Sequence, residues 1–264
     1  MSTPPVVPED VGHDLLREGY LADEGLATAI FLALRLGRPL FLEGEPGVGK
    51  TEVAKVLARV TGGELLRLQC YEGIDAAQAL YEWDYARQML HLRVAEATGA
   101  LAGGATDDVE SQLYSERFLI RRPLLRALEA SADGVPPVVV ITSNRTRDVH
   151  DALKRRCLYH WVDHPTFERE VAIVRLRVPE VDDVLARQAA AAVAELRERG
   201  LYKPPGVAET IDWVQALQAI GRSALDDASV DATLGTVVKH REDLERVRSA
   251  GVADLVKAAV ARAR

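Results

Sequence analysis

The chain has 264 residues, 48% hydrophobic and 28% charged, an ordinary soluble globular composition with room for one large domain or a core and a smaller companion. A formal net charge of −7 and a pI near 5.5 argue against nucleic acid as the main partner, since such proteins usually carry a basic footprint. No apolar run reaches membrane-spanning length, the N-terminus lacks the basic start and apolar stretch of a signal peptide, and Cys70 and Cys157 form no zinc or disulfide motif, so a cytoplasmic setting is the expectation.

Residues 1–10 hold three prolines and a Ser-Thr pair and read as a loose tail. Asp14 or Asp23 is placed to start the first helices. Leu26, Ile30 and Leu34 then share one helical face up to Gly37-Arg38-Pro39, where Gly and Pro stop the helix.

Leu40-Phe41-Leu42 reads as a buried strand, and it leads into Gly44-Glu45-Pro46-Gly47-Val48-Gly49-Lys50-Thr51. That G-x-x-x-x-G-K-T spacing is a phosphate-binding loop. The three glycines allow sharp backbone turns that bring N–H groups close to an anion. The following helix, marked by Val53, Val56, Leu57 and Val60, adds its N-terminal partial charge. Lys50 can reach the terminal phosphates, and the Thr51 hydroxyl can ligate Mg²⁺. Strand, loop and helix come in the required order, so ATP with Mg²⁺ is the expected ligand. A Gly-rich turn that happens to hold a lysine is the bland alternative.

Leu65 to Cys70 reads as a second strand, and Ala76 to Leu92 as a helical stretch whose Trp83 and Tyr85 serve packing rather than ligand binding. Gly99 to Asp108 is a loop, and Phe118 to Ala132 a helix with Pro123 near its first turn. Arg117, Arg121, Arg122 and Arg126 crowd this region; a solvated basic face is the plain reading, a subunit contact the functional one. After a turn at Asp133 to Pro137, Val138 to Ile141 has the β-branched, wholly apolar character of a central parallel strand. It ends in Thr142-Ser143-Asn144, polar residues at the edge where open α/β sheets bind ligands. Asp148 to Arg156 reads as a short helix and Leu158 to Val162 as another strand. From Thr166 onward only helical stripes appear: Leu185, Ala189, Val193 and Leu196; Ile211, Val214, Leu217 and Ile220; and Val252, Leu255, Val256, Ala259 and Val260. The fold class is therefore α/β, a P-loop core with a parallel sheet followed by an all-helical part.

GEPGVGKT, VVVITSN, DALKRRC and the helical tail together resemble an AAA+ ATPase. Within that class EGEPGVGKTEVAK, YSERFLIRRPLLRALE and ITSNRTRDVHDALKRRCLYHWVD resemble the MoxR-type, CoxD-like members, from about Val11 to the end. The resemblance implies a tail at 1–12, an AAA+ nucleotide-binding core at 13–165 and a helical lid at 166–264. It gives Asn144 the role of the sensor-1 residue beside the γ-phosphate, where capping of the strand-to-helix turn is the plainer reading. It makes Arg156, with Arg155 as fallback, an arginine finger that reaches the neighbouring subunit's nucleotide. Such a finger is worth on the order of 10³–10⁵ in rate. The plainer alternative for Arg156 is a surface ion pair. Acting in trans, it implies a homo-oligomeric ring, a hexamer by family. Tyr20 is placed near the adenine.

Two departures from the family matter. No four-residue apolar strand followed by Asp-Glu, the Walker B acid pair, is present, and only Ala130 to Pro137 fill the gap where it belongs. A strand and helix, on the order of a few tens of residues, are missing there. The sheet is expected to be short by one strand, leaving Leu65 to Gln69 to pair with Val138 to Ile141 or to be poorly held. Loss of a water-positioning carboxylate typically costs roughly 10²–10⁴-fold in hydrolysis. Second, the lid stretch Lys203 to Thr210 holds no sensor-2 arginine, and Lys203 is the lone cationic substitute. The family reading is a chaperone-like remodeller whose client is a protein, by analogy a maturing metalloenzyme, with hydrolysis impaired. The alternatives are a non-hydrolysing nucleotide-binding scaffold, a DNA-directed AAA+ motor, and a small-molecule P-loop kinase, which the Asn144–Arg156 pattern does not suit.

Overall fold

The computed structural model describes residues 5–98, 111–131, 134–145 and 149–264. The chain forms two compact units, one made of residues 1–63 with 138–264, the other of 64–137.

The first unit opens with α1 (Pro8–Arg17), which starts inside the stretch expected to be loose and buries Val11 and Leu15. Asp14 lies within α1, so it starts no helix. Asp23 caps α2 (Glu24–Leu36), its carboxylate accepting from Leu26 N–H at 2.6 Å, and Gly37 closes α2 with φ 61°. Strands β1 (Leu40–Gly44), β4 (Val140–Ser143) and β5 (Leu158–Val162) form one parallel sheet in the order β4-β1-β5. Leu40 stands opposite Val140 and Leu158, and Glu43 opposite Ser143 and Trp161. Period-two alternation splits the sheet's faces. Leu40 and Leu42 join Val11, Leu15, Leu26, Ile30, Val53 and Val56 in one core, under α1, α2 and α3 (Lys50–Thr61). Phe41 and Glu43 turn to the other face, against Tyr159.

The strand expected at Val138 to Ile141 is shifted by two residues, and it is not central. It lies at the edge of the described sheet, with Val138 and Val139 exposed. Its apolar run reads as doubly buried, but only β1 pairs with it among the described strands. Helix α7 (Asp151–Lys154) is a single turn before β5. The expected helix start at Asp148 lies outside the described residues.

From Phe167 the unit is helical: α8 (Phe167–Arg177), α9 (Asp183–Glu198), α10 (Val207–Ala219), α11 (Asp227–Val237), α12 (Arg241–Ser249) and α13 (Val252–Arg262). They enclose a second core of Leu185, Ala189, Val193, Leu196, Trp213, Val214, Leu217, Leu234 and Leu255. The sequence stripes define it well, except that Ile220 falls past the end of α10 and is exposed.

The second unit contains α4 (Ala76–Leu80), β2 (Tyr81–Trp83), α5 (Tyr85–Ala97), β3 (Leu119–Arg121) and α6 (Pro123–Ala130). The single helix expected over Ala76 to Leu92 is broken because Tyr81–Trp83 pairs antiparallel with β3. The same pairing replaces the start of the helix expected from Phe118, and α6 begins at Pro123. Leu65 to Cys70 forms no strand; Leu65 is exposed, and a β-run without a ladder partner leaves its backbone to water. Trp83 packs edge-on with Tyr81 and Tyr114, whereas Tyr85 is exposed and packs little. The arginine cluster is charge-paired: Arg121 with Glu129 and Glu116, Arg122 with Glu82, Arg126 with Glu64, while Arg117 lies over the Phe118 ring. The loop at Gly99 to Asp108 lies outside the described residues.

Candidate nucleotide site

The site is built where β1 ends. Gly44 runs so close to β5 that a Cβ there would stand 2.2 Å from the Val162 carbonyl oxygen. Gly47 (φ 77°) and Gly49 (φ 94°) take left-handed turns, and the chain enters α3 at Lys50. The first N–H groups of α3 have no carbonyl within their own helix, so the loop and helix start form a nest for an anion.

Lys50 is buried, its ammonium donating to the carbonyls of Gly44 (2.8 Å) and Glu45 (2.6 Å). Burial lowers its pKa from the ordinary 10.5, with the nearby Glu45 opposing the shift. Thr51 is exposed at the second helical position. Among the described residues no group of three or more His, Cys, Asp or Glu side chains is placed to hold a metal. The Thr51 hydroxyl at the helix start is an oxygen donor of the kind that suits a hard cation.

Beside the loop lies a cavity of about 360 Å³. Tyr20, Val48, Val162, Ile173, Val207 and Ile211 give it an apolar lining, and Asp23, His164 and Arg169 bring polar groups. Tyr20, placed near a base by the sequence reading, lies at the wall, its ring close to Gly49, and burial pushes its hydroxyl pKa upward. Arg169 donates to the Leu21 carbonyl at 2.9 Å, fixing the segment between α1 and α2. Burial and the Arg197 guanidinium lower the His164 pKa, and its Nδ1 has no partner.

The other expected site residues lie apart from this wall. Asn144 is exposed just past β4, and beside it Arg145 N–H donates to the Ser143 hydroxyl at 3.1 Å. Arg145 holds φ 58° with its guanidinium over the Trp161 ring. Arg156 is exposed and donates to the Ala152 carbonyl at 2.8 Å. Arg38 grips this region, donating to the carbonyls of Arg155 (3.1 Å) and Arg156 (3.3 Å). Lys203 is exposed and does not line the cavity.

Sequence reasoning missed Glu43 and Gly206. Glu43 is a buried carboxylate one residue before the loop and accepts from the Tyr159 hydroxyl at 2.9 Å. An acidic residue closing an apolar strand was a visible signal. Gly206 lies in a Pro-Pro-Gly stretch that resembles an ordinary turn, and nothing local marks it.

Comparison with known proteins bears on the same segment. Residues 39–157 match the model of the AAA domain, dynein-related subfamily. A midasin from Giardia intestinalis is 41% identical over 54 residues, 20% of this chain and 1% of that protein. The chain thus spans a very small part of the curated relative it matches. The Thermotoga maritima RuvB Holliday junction branch migration motor aligns over 97% of this chain and 86% of its own, with a TM-score of 0.41 and 16% identity. The matched segment holds the P-loop and strands β1 and β4 of the parallel sheet, and the architecture is of the α/β class.

Proposed function

We propose that this chain, with an AAA domain at 39–157, is an ATP-binding module of the MoxR-type AAA+ kind, with core and lid meeting near 165/166. The observation that carries this reading is one continuous site: a glycine-turned loop with a buried lysine, opening on a cavity with an aromatic wall. A cavity of that size and lining suits a purine nucleoside, and the loop suits its phosphates. Gly44, Glu45, Pro46, Gly47, Val48, Gly49, Lys50 and Thr51 cradle the triphosphate, and Thr51 adds a protein ligand to Mg²⁺.

Hydrolysis is slow in this reading, because the sequence holds no Asp-Glu pair after an apolar strand. Asn144 orients the attacking water, and Arg156 serves a neighbouring subunit in a ring. The exposure of Arg156, away from its own chain's cavity, supports that assignment. The work done is remodelling of a protein client, a metalloenzyme by analogy.

The test is binding of a fluorescent ATP analogue with Mg²⁺, together with steady-state phosphate release, for the wild type and Lys50→Ala. Tight binding that Lys50→Ala weakens at least tenfold supports the nucleotide site. Phosphate release no greater than that of Lys50→Ala supports the impaired-hydrolysis reading. Robust Lys50-dependent turnover overturns it and means that another acid activates water. Absence of binding by the wild type overturns the nucleotide reading itself.

A further inference from the structure

Gly206 has no backbone reason to be glycine. It is the N-cap of α10, with φ −89° and ψ −175°, extended values that any residue adopts. Space supplies the reason instead. A Cβ at Gly206 would stand 2.6 Å from the Gly47 Cα and 2.7 Å from its carbonyl carbon. Both are backbone atoms of the phosphate loop and cannot rotate aside. Seen from the loop, a Cβ at Gly47 would meet the Gly206 Cα at 2.9 Å and the Glu209 carboxylate at 2.7 Å. Two glycines far apart in sequence thus meet backbone to backbone.

Hydrogen bonds hold the approach on both sides. Ala208 N–H donates to the Gly47 carbonyl at 3.3 Å. Gly206 N–H donates to the Glu209 carboxylate at 3.0 Å, which closes the start of α10. Behind it, Arg197 donates to the Pro205 carbonyl at 2.8 Å and forms a two-pronged ion pair with the buried Glu170 (2.6 and 2.9 Å). Thr210 donates to the same carboxylate at 2.6 Å. The segment 205–210 is therefore anchored on α8 and α9 and pressed against the loop.

We infer that Gly206 is a positioning residue for nucleotide binding: it lets the N-terminus of α10 brace the outer side of the phosphate loop at Gly47. The family resemblance puts a sensor-2 arginine near the start of a lid helix, and the corresponding stretch Lys203 to Thr210 holds none. The structure has backbone and the Glu209 carboxylate there, so the lid acts on the loop's shape rather than on the phosphate's charge. Preorganisation of this kind raises affinity by removing the cost of ordering the loop when ligand binds.

The inference rests on the nucleotide reading, and its test separates the two. Gly206→Ala and Gly206→Val are compared with wild type and with Gly235→Ala, whose Cβ would meet nothing within 4 Å. Amide exchange of the segment 44–51 is followed without nucleotide. Affinity and dissociation rate of a fluorescent ATP analogue with Mg²⁺ are measured in parallel, as is the melting temperature of the empty protein. The expected result is faster exchange at 44–51 and an affinity loss of about tenfold for Gly206→Ala, larger for Gly206→Val. Faster dissociation should accompany both, while Gly235→Ala behaves as wild type. Melting of the Gly206→Ala protein should stay close to wild type, because the contact is a surface of the loop and not the helical core. Wild-type exchange and affinity in Gly206→Val would overturn the brace. So would an affinity loss that merely follows a drop in melting temperature. If the wild type binds no nucleotide but Gly206→Ala still loosens 44–51, the brace stands and the ligand assignment falls.

Discussion

Lys50 folds its ammonium onto two carbonyls of its own loop while buried, and that has a pH consequence. An anion is held by the protonated form, and burial lowers the pKa below 10.5. Affinity for ATP should therefore begin to fall at a lower pH than for an exposed lysine, and titration of affinity between pH 7 and pH 10 reads this directly. His164 gives an opposite-facing signal in stability. Its pKa is lowered from 6.5 by burial and Arg197, so the folded state favours the neutral ring. Its contribution is complete above pH 6.5 and is lost as pH falls below that value. His164→Gln should flatten the stability curve on the acid side, as measured by urea unfolding between pH 5 and pH 7. The loop residues were legible in the sequence because G-x-x-x-x-G-K-T is local chemistry. Gly206 was not, because it acquires its meaning from a partner distant in sequence; Glu43 left only the local signal of an acid closing an apolar strand, and its partner Tyr159 is distant.

Helix ends and helix contacts set the element scale. Asp23 was visible as a start signal, and its carboxylate caps α2 beside the cavity. Asp23→Ala should cost about 1 kcal/mol in denaturant unfolding. The ion pair of Glu170 with Arg197 was not visible, since α8 and α9 show only their own stripes. Glu170 is 1% exposed, and removing it leaves the largely buried Arg197 without its counter-charge. Glu170→Ala should cost roughly 3–5 kcal/mol, as breaking a buried pair does. Urea midpoints of Glu170→Ala and of the Glu170→Ala, Arg197→Met double variant check this, and the double variant should recover part of the loss. Strand assignment failed where tertiary pairing overrode local pattern: Tyr81–Trp83 left a helical stretch to pair with β3, and Leu65 to Cys70, strand-like in composition, forms no strand.

At the scale of the whole chain the two units differ in how much apolar surface they bury. The helical part of the first unit encloses Trp213, Leu185, Leu196, Leu217 and Leu234 completely. The described residues of the 64–137 unit fully bury few apolar side chains, Phe118 the largest, and leave Met89, Leu90, Tyr85 and Leu128 exposed. Opening free energy follows buried contacts, so amides of α5 and α6 should exchange faster than those of α9 and α10 under native conditions. Equal protection in both would overturn this reading. Among the described residues no helix is long and apolar enough to cross a membrane. The sequence alone determined the phosphate loop, the α/β class with its parallel strands, and the helical stripes, because each is written in short-range spacing of apolar residues and glycines. Tertiary structure alone decided that β4 lies at the sheet edge, that Tyr20 and His164 share one cavity, and that Gly206 meets Gly47. Those facts depend on which distant backbones approach one another, and close approach leaves no periodic trace in a single chain.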